Sequence, residues 1–169
     1  EPGLLVVMLI VFVGALFARR DDSRRVGVVS VLGLVALFYW SLRLGPGASY
    51  WGGAYVVDEL ALFAKRLFLG ATVIGILGSL TLRAPAFARR ATEYYLIMLS
   101  SLLGMLVLAS ARDLILLFVA FELMSIPLYA LTGFQKRDGA AVGAPLKFFL
   151  VGTVSSALIA YGLSFVYGV

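Results

Sequence analysis

The sequence contains no cysteine and no histidine. Without thiols there is no disulfide framework, no thiol nucleophile and no Cys-ligated iron–sulfur cluster. Without imidazoles there is no His-ligated haem, no usual catalytic zinc site and no serine–histidine dyad. Charge is scarce too. Asp, Glu, Lys and Arg make up 14% of the 169 residues, against roughly a quarter of an average soluble domain. What is abundant is apolar side chain: 62% of residues are hydrophobic and the mean hydropathy is +1.04. A soluble domain of this size cannot bury that much, because much of its surface must face water. The composition therefore indicates a membrane protein. The net charge of +5 does not indicate nucleic acid, since the basic residues sit in short clusters between long uncharged runs with no aromatic platform beside them.

Six apolar runs cover residues 3–18, 26–42, 67–82, 94–111, 114–134 and 148–169. A spanning helix needs about 20 apolar residues, and the shorter runs reach that length through flanks whose basic side chains snorkel outward. The third run extends back to about Leu60 if Lys65 and Arg66 fall in its first turns. The runs are too long for barrel strands and do not alternate. The expected fold is an all-α membrane protein with six transmembrane helices. Nine basic residues (Arg19, Arg20, Arg24, Arg25, Arg83, Arg89, Arg90, Lys136 and Arg137) fall in odd-numbered loops. Arg43 and Arg112 fall in even ones, with or without Lys65 and Arg66. The positive-inside rule then puts the odd loops in the cytoplasm and the N-terminus outside. Glu1 in the place of an initiator Met, and a sixth run reaching Val169, read as a piece of a longer protein. The loop over residues 44–57, rich in Gly and aromatics, is expected at the outer interface. Gly152, Ser156, Ala160, Ser164 and Gly168 recur every four residues, and Ala71, Gly75 and Ser79 do the same in the third run. Such stripes let helix backbones approach closely in lipid.

Two charges fall inside apolar runs. Glu122 follows Asp113 by nine residues, roughly 13 Å of helix, close to the middle of a hydrocarbon core about 30 Å thick. An acidic side chain there costs about 3 kcal/mol on insertion scales and usually faces protein or water. Ser125 and Tyr129 lie three and seven residues on, along the same face. Pro127 removes the backbone bond to the carbonyl of residue 123, next to Glu122. Lys147 is the only charge between Gly139 and Val169. It is roughly 12 Å deep if its helix begins near Gly139, and near the surface if Pro145 is the first helical residue. Desolvation favours the neutral form of a carboxylate or an ammonium, and a nearby opposite charge reverses this. A carboxylate–ammonium pair that forms and breaks is therefore material for a proton relay. The bland alternatives are a helix–helix hydrogen bond for Glu122 and an interfacial anchor for Lys147.

The run from Glu93 through Gly104, Asp113, Glu122-Leu-Met-Ser-Ile-Pro-Leu-Tyr129, Leu146-Lys147-Phe-Phe-Leu-Val-Gly152 and on to Gly168 resembles subunit N of the respiratory NADH–quinone oxidoreductase, an antiporter-like family. Before it, only Val57-Asp58 and the helix that follows look like that family. The resemblance implies three N-terminal transmembrane helices over residues 1–92 and the start of a proton-translocating domain, its helices 4–6, over residues 93–169. It implies Glu122 and Lys147 as proton-translocation residues, with Ser125, Pro127 and Tyr129 as their supporting polar face. The family often carries Glu four residues before its sixth-helix Lys, where this chain has Gly143. The resemblance further implies no cofactor in this chain, with NADH, quinone, FMN and iron–sulfur clusters in other subunits. The expected partners are other membrane-arm subunits, the lipid bilayer and protons, with no nucleic acid. The expected location is the bacterial inner (plasma) membrane, as a non-redox subunit of a translocase. Two other readings are a subunit of a multicomponent sodium/proton antiporter and a non-conducting membrane scaffold.

Overall fold

The structure, a computed structural model, describes residues 1–17, 23–81, 87, 90–134 and 143–167. Among them are six α-helices: α1 (Pro2–Phe17), α2 (Ser23–Ser41), α3 (Glu59–Ser79), α4 (Ala91–Leu108), α5 (Leu114–Thr132) and α6 (Gly143–Tyr167). The last four are long and apolar enough to cross a membrane, whereas the apolar parts of α1 and α2 are shorter. Helix α3 starts at Glu59, well before the apolar run at Leu67, so Lys65 and Arg66 are helical. Asp58 explains the early start. Its carboxylate accepts a 2.7 Å bond from the Ala61 amide, satisfying one orphan donor of the first turn, and Glu59 complements the helix dipole. Asp113 caps α5 in the same way, accepting from the amides of Ile115 and Leu116 at 2.9 and 3.2 Å.

Helix α4 is the hub. It touches α1, α2, α3 and α5, while α6 packs on α5. The core lies where the first four helices converge, at Leu4, Val11, Leu34, Ile76, Tyr95, Leu99 and Leu102. Small residues set the closest approaches. A methyl group on Gly33 would stand 2.8 Å from a Val7 methyl carbon, and one on Gly104 would overlap the backbone of Leu123 and Met124. The Ser101 hydroxyl donates to the Met124 carbonyl at 2.9 Å across the same α4–α5 seam. Four residues of the small-residue stripe of the sixth run pack, Gly168 lying outside the described residues: Gly152 lies under the Tyr129 phenol, Ser156 is buried, and Ala160 and Ser164 face Leu114 and Phe118. In the third run Gly75 meets Met98 and the Ser79 hydroxyl donates to the Tyr95 hydroxyl at 3.2 Å. The outward faces are apolar, as lipid requires; Ile74 is 72% exposed and Val151 67%.

The aromatic loop departs from the all-helical expectation. Ala48–Tyr50 (β1) and Tyr55–Val57 (β2) form an antiparallel hairpin with Ala48 opposite Val57. A single 3₁₀ turn, Trp51–Gly53, joins them. Three successive residues there have positive φ: Trp51, Gly52 and Gly53. Glycine takes that conformation freely, whereas Trp51 is strained in it. The hairpin is pinned to the α4–α5 connection, because Val56 donates to the Ser110 carbonyl at 2.9 Å and Arg112 to the Ala54 carbonyl at 2.8 Å.

The α4–α5 seam leaves no room at position 104. Gly104→Ala in the full-length subunit is expected to lower stability by about 1–3 kcal/mol, read as a reduced melting temperature after detergent extraction. Gly70→Ala, where an added methyl meets nothing within 4 Å, is expected to leave it unchanged.

Candidate functional site

Glu122 is the ninth residue of α5, in the middle of the helix. It is partly buried, and its Oε1 is fully covered without a hydrogen-bond partner among the described residues. Its face is that of Tyr129, seven residues on. The Tyr129 ring stands edge-on to Phe148 and Phe149, with centroids 5.2 and 5.8 Å away, and its hydroxyl covers Gly152. Glu122 is thus on the side of α5 that meets α6. One turn beyond Gly152 is Ser156, whose buried Oγ also has no partner. Two unsatisfied polar atoms therefore lie on the two helices of one seam, where an uncompensated buried group is costly.

The supporting residues divide. Ser125 is buried, but its hydroxyl donates back to the Phe121 carbonyl at 2.8 Å and not to Glu122. Pro127 sits inside α5 without ending it. Tyr129 is an α5–α6 packing residue. Lys147 is exposed in the second turn of α6, four residues or about 6 Å from Gly143. Pro145 packs on Gly133 and Gly152 on Tyr129, so Lys147 is level with the end of α5. Glu122 is seven residues, roughly 10 Å, further along from Tyr129. The described residues contain no Glu122–Lys147 ion pair.

The ionic contacts are elsewhere, at the hairpin end. Lys65 of α3 is buried; its Nζ lies 2.7 Å from Glu1 Oε1 and donates to the Tyr55 hydroxyl at 2.8 Å. Arg66 turns the other way and donates to the carbonyls of Ser41 and Leu44 at 2.9 and 3.4 Å, closing the C-terminus of α2. Arg112 meets the Asp58 carboxylate at 2.6 Å on the exposed side. Composition did not single out Lys65. The signal available was its position: seven residues after a capping Asp, a lysine sits two turns into an apolar helix.

The family described as "NADH:quinone oxidoreductase/Mrp antiporter, TM" matches residues 111–169. NADH-quinone oxidoreductase subunit N of Methylobacterium nodulans is 40% identical over 98% of this chain and 34% of its own length. The protein of the same name from Desulfovibrio desulfuricans is 37% identical over 99% of this chain and 33% of its own. F(420)H(2) dehydrogenase subunit N of Methanosarcina mazei is 32% identical over 99% and 36%. Over nearly its whole length the chain is similar to part of subunit N. A solved structure of respiratory complex I from Thermus thermophilus with bound aureothin contains a chain with the same fold. It has a TM-score of 0.74 and 30% identity, covering 99% of this chain and 36% of that one. The chain thus spans about a third of the length of the relatives it matches, and like them it is an integral membrane protein.

The Asp58 carboxylate carries a pH signature. The Ala61 amide and the Arg112 guanidinium hold it below the usual aspartate range. A lowered carboxylate contributes stability above its unfolded-state value and loses it as pH falls through the folded one. Below about pH 4 the hairpin end is therefore expected to loosen. Amide exchange at Ala61 and Arg112, corrected for intrinsic pH dependence, should rise in acid; Asp58→Asn should remove most of that pH dependence.

Proposed function

We propose that this chain is part of a proton-translocating membrane-arm subunit of a respiratory NADH–quinone oxidoreductase in the bacterial plasma membrane. Quinone reduction elsewhere in the complex supplies the energy. The carrying observation is Glu122: a carboxylate in the middle of a spanning helix with a covered, unpartnered oxygen. Ionisable side chains at that depth are the usual material of proton relays. Lys147, at the end of the same seam, is the cation at the mouth of the path, and Tyr129 with Pro127 and Ser125 shapes the wall between them. In this reading all six helices span, α1 and α2 being completed by their polar flanks, and the hairpin end faces outward. Residues 1–92 form a three-helix unit, and residues 93–169 open the translocating domain. NADH, FMN, iron–sulfur clusters and quinone belong to other subunits, and the chain contributes no redox step.

The matched family description also names the Mrp antiporter, which favours a sodium/proton exchange subunit as the second reading. The subunit N names of the relatives favour the first.

Glu122→Gln in the full-length subunit, assembled in its complex and reconstituted in vesicles, tests the proposal. Assembly and quinone reduction are expected to persist, while protons moved per electron fall by this subunit's share. Unchanged proton transfer in an assembled complex rejects the relay role, and loss of assembly assigns Glu122 to structure.

A further inference from the structure

Exposed aromatic side chains with a polar edge gather at one end of the molecule. The exposed tyrosines and tryptophans are Tyr39, Trp40, Tyr50, Trp51, Tyr161 and Tyr167. Tyr39 and Trp40 fall in the last turn of α2, just before the hairpin, and Tyr50 and Trp51 belong to the hairpin itself. Tyr161 and Tyr167 are in the last two turns of α6. Tyr167 borders a groove with Leu114 and Ile115, which follow the connection that the hairpin touches. The remaining tyrosines, Tyr55, Tyr94, Tyr95 and Tyr129, are not exposed.

The hairpin rings are held in place. Tyr55 is buried, with its ring centre 6.0 Å from that of Tyr50 and 5.9 Å from that of Trp51. Its hydroxyl accepts from Lys65 Nζ at 2.8 Å, which ties the cluster to the second turn of α3. Trp51 is 76% exposed and has a φ of 51°. A bulky residue in that region is strained, whereas Gly52 and Gly53 after it are not. The strained turn presents the indole outward, with an edge contact to one ring as its support. Water does not compensate such exposure, because the indole is largely apolar. The headgroup layer of a bilayer does: it receives the apolar body and hydrogen-bonds the N–H. Arg43 adds the charge that suits such a layer. It is exposed, has no carboxylate partner among the described residues, and lies 5.8 Å from the centre of the Tyr39 ring. A guanidinium so placed matches a lipid phosphate in charge and geometry.

We propose that these rings form a band seated in the phospholipid headgroup layer at the hairpin end, with Trp51 as its anchor and Arg43 as its phosphate contact. The proposal needs only that the helices span, not that the subunit moves protons. A neighbouring polypeptide is the rival occupant, since protein interfaces also bury Trp and Tyr. The distribution favours lipid. Helix α2 packs on α1, α3 and α4, whereas α6 packs on α5. A single partner covers the rings of both only by wrapping the molecule, whereas a bilayer meets every outward helix at one level.

Photocrosslinking identifies the occupant. In the full-length subunit, assembled in its complex and reconstituted in vesicles of phosphatidylethanolamine and phosphatidylglycerol, Trp51 is replaced by benzoylphenylalanine and irradiated. The expected product is a phospholipid adduct joined at the glycerol or the first acyl carbons. The same probe at Leu67, exposed in the middle of α3, is expected to join further down the acyl chain. At Trp40 the adducts are expected to be richer in phosphatidylglycerol than the vesicle, and Arg43→Gln should remove that enrichment. At Trp51, adducts to another polypeptide, no adduct, or adducts as deep as those at Leu67 overturn the proposal. If the Trp51 variant does not assemble, the Trp40 probe decides on the same terms. Failure of both to assemble assigns the rings to protein packing and overturns the proposal as well. Adducts at Trp40 without enrichment, or with enrichment that survives Arg43→Gln, overturn the phosphate contact.

Discussion

Gly104 lies so close to the backbone of Leu123 and Met124 that no side chain fits between α4 and α5. Much else depends on this contact. In lipid no hydrophobic force drives helices together, so association rests on close van der Waals packing and interhelical hydrogen bonds. The missing Cβ permits the first, and the Ser101–Met124 bond supplies the second. The contact is one to two residues from Glu122. A carboxylate in the middle of a span usually faces the protein interior, and this seam fixes how α5 is turned. Because α4 also touches α1, α2 and α3, the first three helices are tied to Glu122 through a single hub.

The charges fall into two sets with different physics. Asp58, Asp113 and Arg112 act at helix ends in contact with water, where each bond is modest and fixes where an element starts. Glu122 and Lys65 are within apolar helices, where a charge without a partner is costly. Lys65 meets that cost with a carboxylate and a phenol. Glu122 Oε1 has no such partner among the described residues.

The spans were legible because lipid imposes one rule, an unbroken apolar run of fixed length, and α4, α5 and α6 follow it closely. The start of α3 was less visible. Charged residues interrupt the run, and the Asp58 cap shows that the helix continues through them. The hairpin at residues 48–57 was hidden altogether, since its three-residue strands are shorter than any periodicity can register. Glu122 stood out by depth alone. The Lys65–Glu1 contact joins residues 64 positions apart, and no local pattern announces a pair of that separation. The four-residue spacing of Gly152, Ser156, Ala160 and Ser164 did announce a packing face on α6, though not its partner, because a helix turn is nearly commensurate with it.

The bare Cα of Gly152 sits beneath the Tyr129 phenol. A ring that bears on a glycine works as a spacer of fixed thickness, and it meets α6 five residues from Lys147. The gap between the helices at that level is thus defined by one aromatic ring. In the translocating reading, the tyrosine sets the width of the seam between the lysine and the acid.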